Sequence, residues 1–137
     1  RSRFVTLWKQ FDVMVDEMRF TSTREAWREL EDIGGDPLNW ANANSGLFSV
    51  PNAKEGAFVA GIYAVEHFQS NIERQKILRG GRNADPFLIA RAALIGATVV
   101  TMEQLKPNST KIPNICEYFK VPCLDLRGFM EKENWVF

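Results

Sequence analysis

The stretch Asn83–Gln104, NADPFLIARAALIGATVVTMEQ, decides the fold. Asp85-Pro86 reads as a helix start: a side-chain acceptor at the N-cap, then proline at the first helical position, where its missing N–H costs nothing. Phe87, Leu88, Ala90, Ala92, Leu94 and Ile95 cover much of that helix. Gly96 ends it in the left-handed conformation that glycine adopts most easily. Ala97 to Thr101 is a β-branched run without alternation, the pattern of a strand covered on both faces. Glu103 follows at once.

A helix of about eleven residues and a strand of about five each span roughly 16 Å. A helix packed on a parallel sheet runs against its strands, so Asp85 and Glu103 are expected at one edge of the sheet. That edge holds the carboxyl ends of the strands, where open α/β sheets take their ligands. Two carboxylates held together repel, and a hard divalent cation with oxygen ligands relieves the repulsion. The competing reading of the same residues is structural: an Asp before Pro caps a helix, and an acid just past a strand is solvated.

Outward from this unit the pattern is helix-rich α/β within one domain. Phe4, Leu7, Trp8, Phe11, Val15 and Met18 recur at helical spacing and open the chain on an amphipathic helix. Thr21-Ser22-Thr23 is an N-cap region for a second helix, Arg24 to about Ile33, stopped by Gly34-Gly35. Asp36-Pro37 starts a short third helix, Asn42 to Pro51 reads as a loop, and Ala53 to Val65 is helical. His67 to Leu78 reads as a polar helix broken by Gly80-Gly81. Beyond Glu103 come a polar loop, a helix Ile112–Phe119, a strand near Val121–Leu124 and a last helix from Asp125.

Composition sets limits on function. The 137 residues carry 17 basic and 17 acidic side chains, so no global field draws nucleic acid or an anionic membrane and any such contact needs a local patch. No apolar run is long enough to cross a bilayer, and Arg1–Thr6 carries no secretory pattern. Cys116 and Cys123 lack metal-type spacing, and the single His67 argues against zinc and against Ser-His or Cys-His catalysis. Free thiols suit a cytoplasmic protein.

The segments ADPFLIARAALIGATVVTMEQ and KIPNICEYFKVPCLDLRGFM resemble PIN-domain proteins, in particular a PIN-like subgroup related to toxin–antitoxin ribonucleases. The likeness is weak before Asn39 and close from Gly80 onward. It rests on the order and spacing of an Asp-opened helix, small apolar residues, Gly-Ala, a valine-rich strand, Thr and a second acid. The resemblance implies a three-layer PIN-like fold with a short parallel sheet, and a sheet edge whose acids hold Mg²⁺ or Mn²⁺ to hydrolyse RNA. It also implies a toxin role with a cognate antitoxin protein covering the site. PIN-like proteins open on a central strand carrying the first acid, and no such strand is legible here; Asp12 and Asp16 lie inside the first helix and cannot stand in for it. The chain alone is therefore expected to be either catalytically dead or completed by another segment: upstream residues, a second copy of the chain or a partner chain.

On this reading Glu29, Asp85 and Glu103 are the metal ligands and catalytic acids. Glu29 fits the family's second acid, and its place beside Ala26 and Ile33 sets an acid on an apolar face, where a salt bridge to Arg competes with metal ligation. Thr101 is expected to help hold Glu103 or a metal-bound water, against a plain strand-favouring role. Lys76, Arg79, Arg82, Lys106 and Lys111 flank the acidic edge and could grip an RNA backbone without reading its sequence. Trp40 and Phe48 could stack on bases, with a core role as the alternative. The competing class for the whole chain is an inactive PIN-like scaffold that binds protein or RNA.

Overall fold

The structure is a computed structural model that describes residues 2–17, 19, 21–69, 84–101 and 103–134, with residues 2–8 and 25 described through their main chain only. Helix α1 (Ser2–Asp16) leads through a short link to strand β1 (Ser22–Thr23). Helices α2 (Arg24–Ile33) and α3 (Gly35–Ala43), a 3₁₀ turn (Ser45–Leu47) and strand β2 (Phe48–Ser49) follow. Next come α4 (Ala53–Tyr63), α5 (Asp85–Ile95), β3 (Val99–Thr101), α6 (Ile112–Phe119), β4 (Cys123–Asp125) and α7 (Leu126–Lys132). Residues 66–69 are also helical; the rest of the helix expected over His67–Leu78, and Gly80-Gly81, lie outside the described residues. The result is helix-rich α/β with short parallel sheets.

The strands do not form one sheet. β1 pairs with β2 and β3 with β4, both parallel, as two separate two-stranded sheets. Each pair is joined by a helical crossover, as parallel strands require. The segment expected as a loop, Asn42–Pro51, contains the second strand, and Ser22-Thr23 serve twice, as a strand and as the entry to α2. Thr23 is fully buried, and its hydroxyl accepts from Ala26 N at 3.3 Å as the N-cap.

Helix α5 is the hub. It packs on α2, α4 and α6 and touches both β1 and β3. Its start differs by one residue from the sequence reading: Ala84 is the N-cap, without a side-chain cap, and Asp85 is the first helical residue. Its end is as expected, with Gly96 left-handed at φ 69° and donating to Ala92 O. Of the apolar residues that cover much of this helix, Leu94 and Ile95 are exposed, while Ala90 and Ala92, with Ile89, are buried. The strand after Gly96 is covered on one face only: Val99 is 6% exposed and Val100 41%. Val99 joins the apolar core, and Val100, on the opposite side of the pleat, lies outside it.

The apolar core collects Ile62, Phe68, Ile89, Ala92, Val99, Ile112, Ile115, Cys116 and Val121. It therefore lies between α4, α5, α6 and the β3–β4 pair, and takes nothing from β1 or β2. The β1–β2 pair is tied to the hub by polar bonds. Arg91 of α5 is buried and donates to the Ser22 carbonyl and, at 3.4 Å, to Ser49 O. Its charge is met by Glu55 of α4, with Nε to Oε2 at 2.6 Å and Nη2 to Oε1 at 3.1 Å. Glu55 also closes a capping box with Asn52, which begins α4.

On α1, Met14 is buried and Val13 exposed, while the side chains of Phe4, Leu7, Trp8 and Met18 are outside the described set. Trp40 and Phe48 are half-buried, and Trp40 lies against Phe11 and donates from Nε1 to Asp12 at 3.0 Å. Asp12 thus has a structural partner within the fold. His67 is exposed and sits 3.1 Å from Asn108 O, and Cys116 and Cys123 are free thiols. Among the described residues no helix is long and apolar enough to cross a membrane.

Candidate functional site

The acids singled out by sequence occupy helix starts. Glu29 reaches out of α2 and accepts the Ala84 N–H at 2.5 Å, at the N-cap of α5 and one residue before Asp85. It is half-buried, but Ile33 on its supposed apolar face is 71% exposed. Glu29 is therefore placed by a backbone donor of another element, not by being trapped on an apolar face. The favourable end of the α5 dipole now faces two carboxylates, those of Glu29 and Asp85.

Glu103 starts another helix. Its Oε1 accepts from Ile112 N at 3.1 Å, at the first turn of α6, and its Oε2 lies 3.6 Å from Lys111 Nζ. The Thr101 hydroxyl accepts the Glu103 main-chain N–H at 3.1 Å. The two side chains are not alternate members of one strand face, because β3 ends at Thr101.

Asp125 is the acid that sequence reasoning passed over. It stands directly across from Thr101 in the parallel β3–β4 register. One of its oxygens accepts from Gly128 N at 2.7 Å and caps α7; the other accepts from Gln104 Nε2 at 3.1 Å. The Gly128 N–H, then Gln104, hold its carboxyl below the usual carboxylate range. Burial, chiefly, pushes the neighbouring Cys123 thiol up, and the negative charges of Glu103 and Asp125 push the same way. The signal was available in Leu124-Asp125-Leu126-Arg127-Gly128, an Asp at a helix N-cap just after an apolar run.

Of the basic residues expected to grip RNA, Lys76, Arg79 and Arg82 lie outside the described residues. Lys111 is half exposed and engages Glu103. Lys106 is exposed, and its segment is pinned by Asn114, whose Nδ2 donates to Lys106 O at 2.5 Å. Among the described residues no three His, Cys, Asp or Glu side chains come together as a metal-holding group. Glu29, Asp85 and Glu103 thus do not by themselves make the oxygen cage that a divalent ion requires. What the arrangement supplies is a carboxyl edge with Thr101, Glu103 and Asp125 at or just past the ends of β3 and β4, and a second acidic pair at the start of α5.

Residues 2–137 match the family described as Domain of unknown function (DUF4411), and the chain belongs to that family. No curated protein matches it, and no solved structure matches it.

Proposed function

We propose that this DUF4411 domain is a PIN-like endoribonuclease, dependent on Mg²⁺ or Mn²⁺ and acting as the toxin of a toxin–antitoxin pair, whose acids hold the ion together with water. The observation that carries the reading is the Glu29–Ala84 bond, which brings an acid of α2 to the very start of the helix that opens with Asp85. The position of Thr101 and Glu103 at the carboxyl end of a parallel strand supports it, since that is where α/β sheets do their chemistry. So does the resemblance in residues 84–104 and 111–130. An antitoxin protein would then act by covering this edge.

The test is calorimetric titration of Mn²⁺ into the chain and into Asp85→Asn and Glu103→Gln, each of which removes charge with little change in volume. On this reading both variants lose Mn²⁺ binding while circular dichroism is unchanged, and metal-dependent RNA cleavage disappears with them. Unchanged Mn²⁺ affinity in both variants would sink it.

A second reading is favoured by a specific observation. Glu29 and Glu103 each commit an oxygen to a backbone N–H, and no three-ligand group forms among the described residues. On this reading the chain is an inactive PIN-like scaffold that binds protein or RNA. Salt-sensitive RNA binding that is indifferent to Mn²⁺ and to chelator, with no cleavage, selects it over the first.

A further inference from the structure

Behind the carboxyl edge lies a pair of thiols. Cys116 is fully buried in α6, and Cys123 is the first residue of β4, half-buried and packed against the same core. The chain doubles back to bring them together. Lys120 ends α6 in the left-handed region at φ 59°, Val121 N donates to the Cys116 carbonyl at 2.8 Å, and β4 follows after Pro122. The two side chains share a hydrogen bond.

A single buried cysteine is a small hydrophobe and chemically inert. Two thiols in contact on adjoining elements meet the first demand of a disulfide, which joins only residues whose backbones already lie close. An outside reagent reaches the two unequally. Cys116 has no exposed surface, whereas part of Cys123 is open to solvent. Burial, chiefly, also pushes the Cys116 thiol up, so Cys116 does not start the exchange. The negative charges of Glu103 and Asp125 bear on Cys123, and they repel an anionic reagent while admitting a neutral one.

The pair is placed to act on the carboxyl edge. Cys123 stands across from Val99, and Asp125 across from Thr101, in the parallel register. Residues two apart share a face of a strand, so Cys123 is on the face that carries Asp125. Cys116 lies about one turn along α6 from Ile112, whose N–H Glu103 accepts. A bond between the sulfurs thus joins the helix capped by Glu103 to the strand that ends in Asp125.

We propose that Cys116 and Cys123 form a reversible dithiol–disulfide site, oxidised by a small uncharged disulfide and reduced by a thiol, whose closure clamps α6 to β4 behind the carboxyl edge. Cys123 gives its proton to solvent and its sulfur attacks the reagent, forming a mixed disulfide and releasing one reagent thiol. The Cys116 sulfur then attacks the Cys123 sulfur, its proton passes to the departing sulfur, and the second reagent thiol leaves. The two protein sulfurs give up two electrons in all, and the reagent's disulfide takes them. In a reducing compartment such a bond is transient, as redox-sensing disulfides are. This inference stands on the thiol pair and does not depend on ribonuclease activity.

The test incubates the folded chain with hydroxyethyl disulfide and follows its intact mass and peptide map. The unaltered chain should lose two hydrogens and yield a peptide cross-linked between Cys116 and Cys123, and dithiothreitol should restore both thiols. Cys116→Ala should stop at a hydroxyethylthio adduct on Cys123, and Cys123→Ser should remain unmodified. Cys116→Val serves if the alanine variant does not fold. In the oxidised chain the Ile112 and Gly128 amides, which donate to Glu103 and Asp125, should exchange at least about tenfold more slowly. The proposal is overturned if the unaltered chain stays reduced, stops at the mixed disulfide or cross-links between copies. Closure that accelerates in step with unfolding in low urea overturns it too, because the sulfurs then meet only in the unfolded chain. So does unchanged exchange at both amides, which removes the clamp.

Discussion

At the scale of single residues, the pair Glu55–Arg91 is a buried ion pair that depends on both partners. Both side chains are nearly inaccessible, at 4% and 10% exposed, and their charges compensate at 2.6 Å. Removing Arg91 leaves a buried carboxylate alone, so Arg91→Ala should cost about 3–5 kcal/mol in urea unfolding. The pH dependence should change sign as well. In the intact protein the Arg91 hydrogen bonds hold the Glu55 carboxyl below its ordinary value, against burial, with the Asn52 N–H helping. A lowered folded value means the stabilisation is complete above the unfolded carboxylate's pKa, about 4.3, and is lost as pH falls through the folded value. Without Arg91, burial outweighs the Asn52 bond, the carboxyl titrates high, and acidification from pH 7 to 5 should raise Tm. A Tm that falls over that range in Arg91→Ala would contradict this account. Half of the cluster was legible: Asn52 and Glu55 stand at capping-box spacing in the sequence. The other half joins residues 36 apart, and no local pattern marks an Arg inside an otherwise apolar helix as an internal anchor.

At the scale of elements, helices read well because their punctuation is chemical. Gly96 shows this most clearly: it sits at φ 69° and an added Cβ would meet nothing within 4 Å. The cost of Gly96→Ala is therefore purely conformational, about 1 kcal/mol, and Gly96→Asn should cost less because Asn tolerates the left-handed region. Chemical denaturation of the two variants measures this, and equal losses would show that packing contributes after all. Strands β1 and β2, unlike β3 and β4, read poorly for an equally physical reason. Ser22–Thr23 and Phe48–Ser49 have two residues each, too few to display a period of two, and they lie among residues that favour caps and turns. The acids fall between these cases. Asp85 and Thr101 stand at the ends of α5 and β3, and Glu103 stands two residues past β3. That Glu29 and Glu103 cap helices α5 and α6 depends on how elements meet, which sequence spacing does not encode.

At the scale of the molecule, the two half-sheets are held by different forces. The β3–β4 pair shares the apolar core through Val99, with Cys123 packed against it and Val121 leading into β4. The β1–β2 pair contributes no residue to that core and is fastened to α5 through Arg91, by bonds to Ser22 O and Ser49 O. Apolar burial protects a strand up to the global unfolding free energy, whereas a pair fastened by a few polar bonds can open by itself. Amides of β1 and β2 should therefore exchange through a sub-global opening, faster than those of β3 and β4 under native conditions. Arg91→Ala should widen the gap, releasing β1 and β2 while the β3–β4 amides fall only by the global loss of stability. Ile89→Ala is the complementary probe, because Ile89 is fully buried in the shared core. It should lower β3 and β4 protection together with the global stability, by about 2–5 kcal/mol. If Arg91→Ala and Ile89→Ala instead lower all four strands in parallel, the two half-sheets open as one cooperative unit and the division between apolar and polar fastening is wrong.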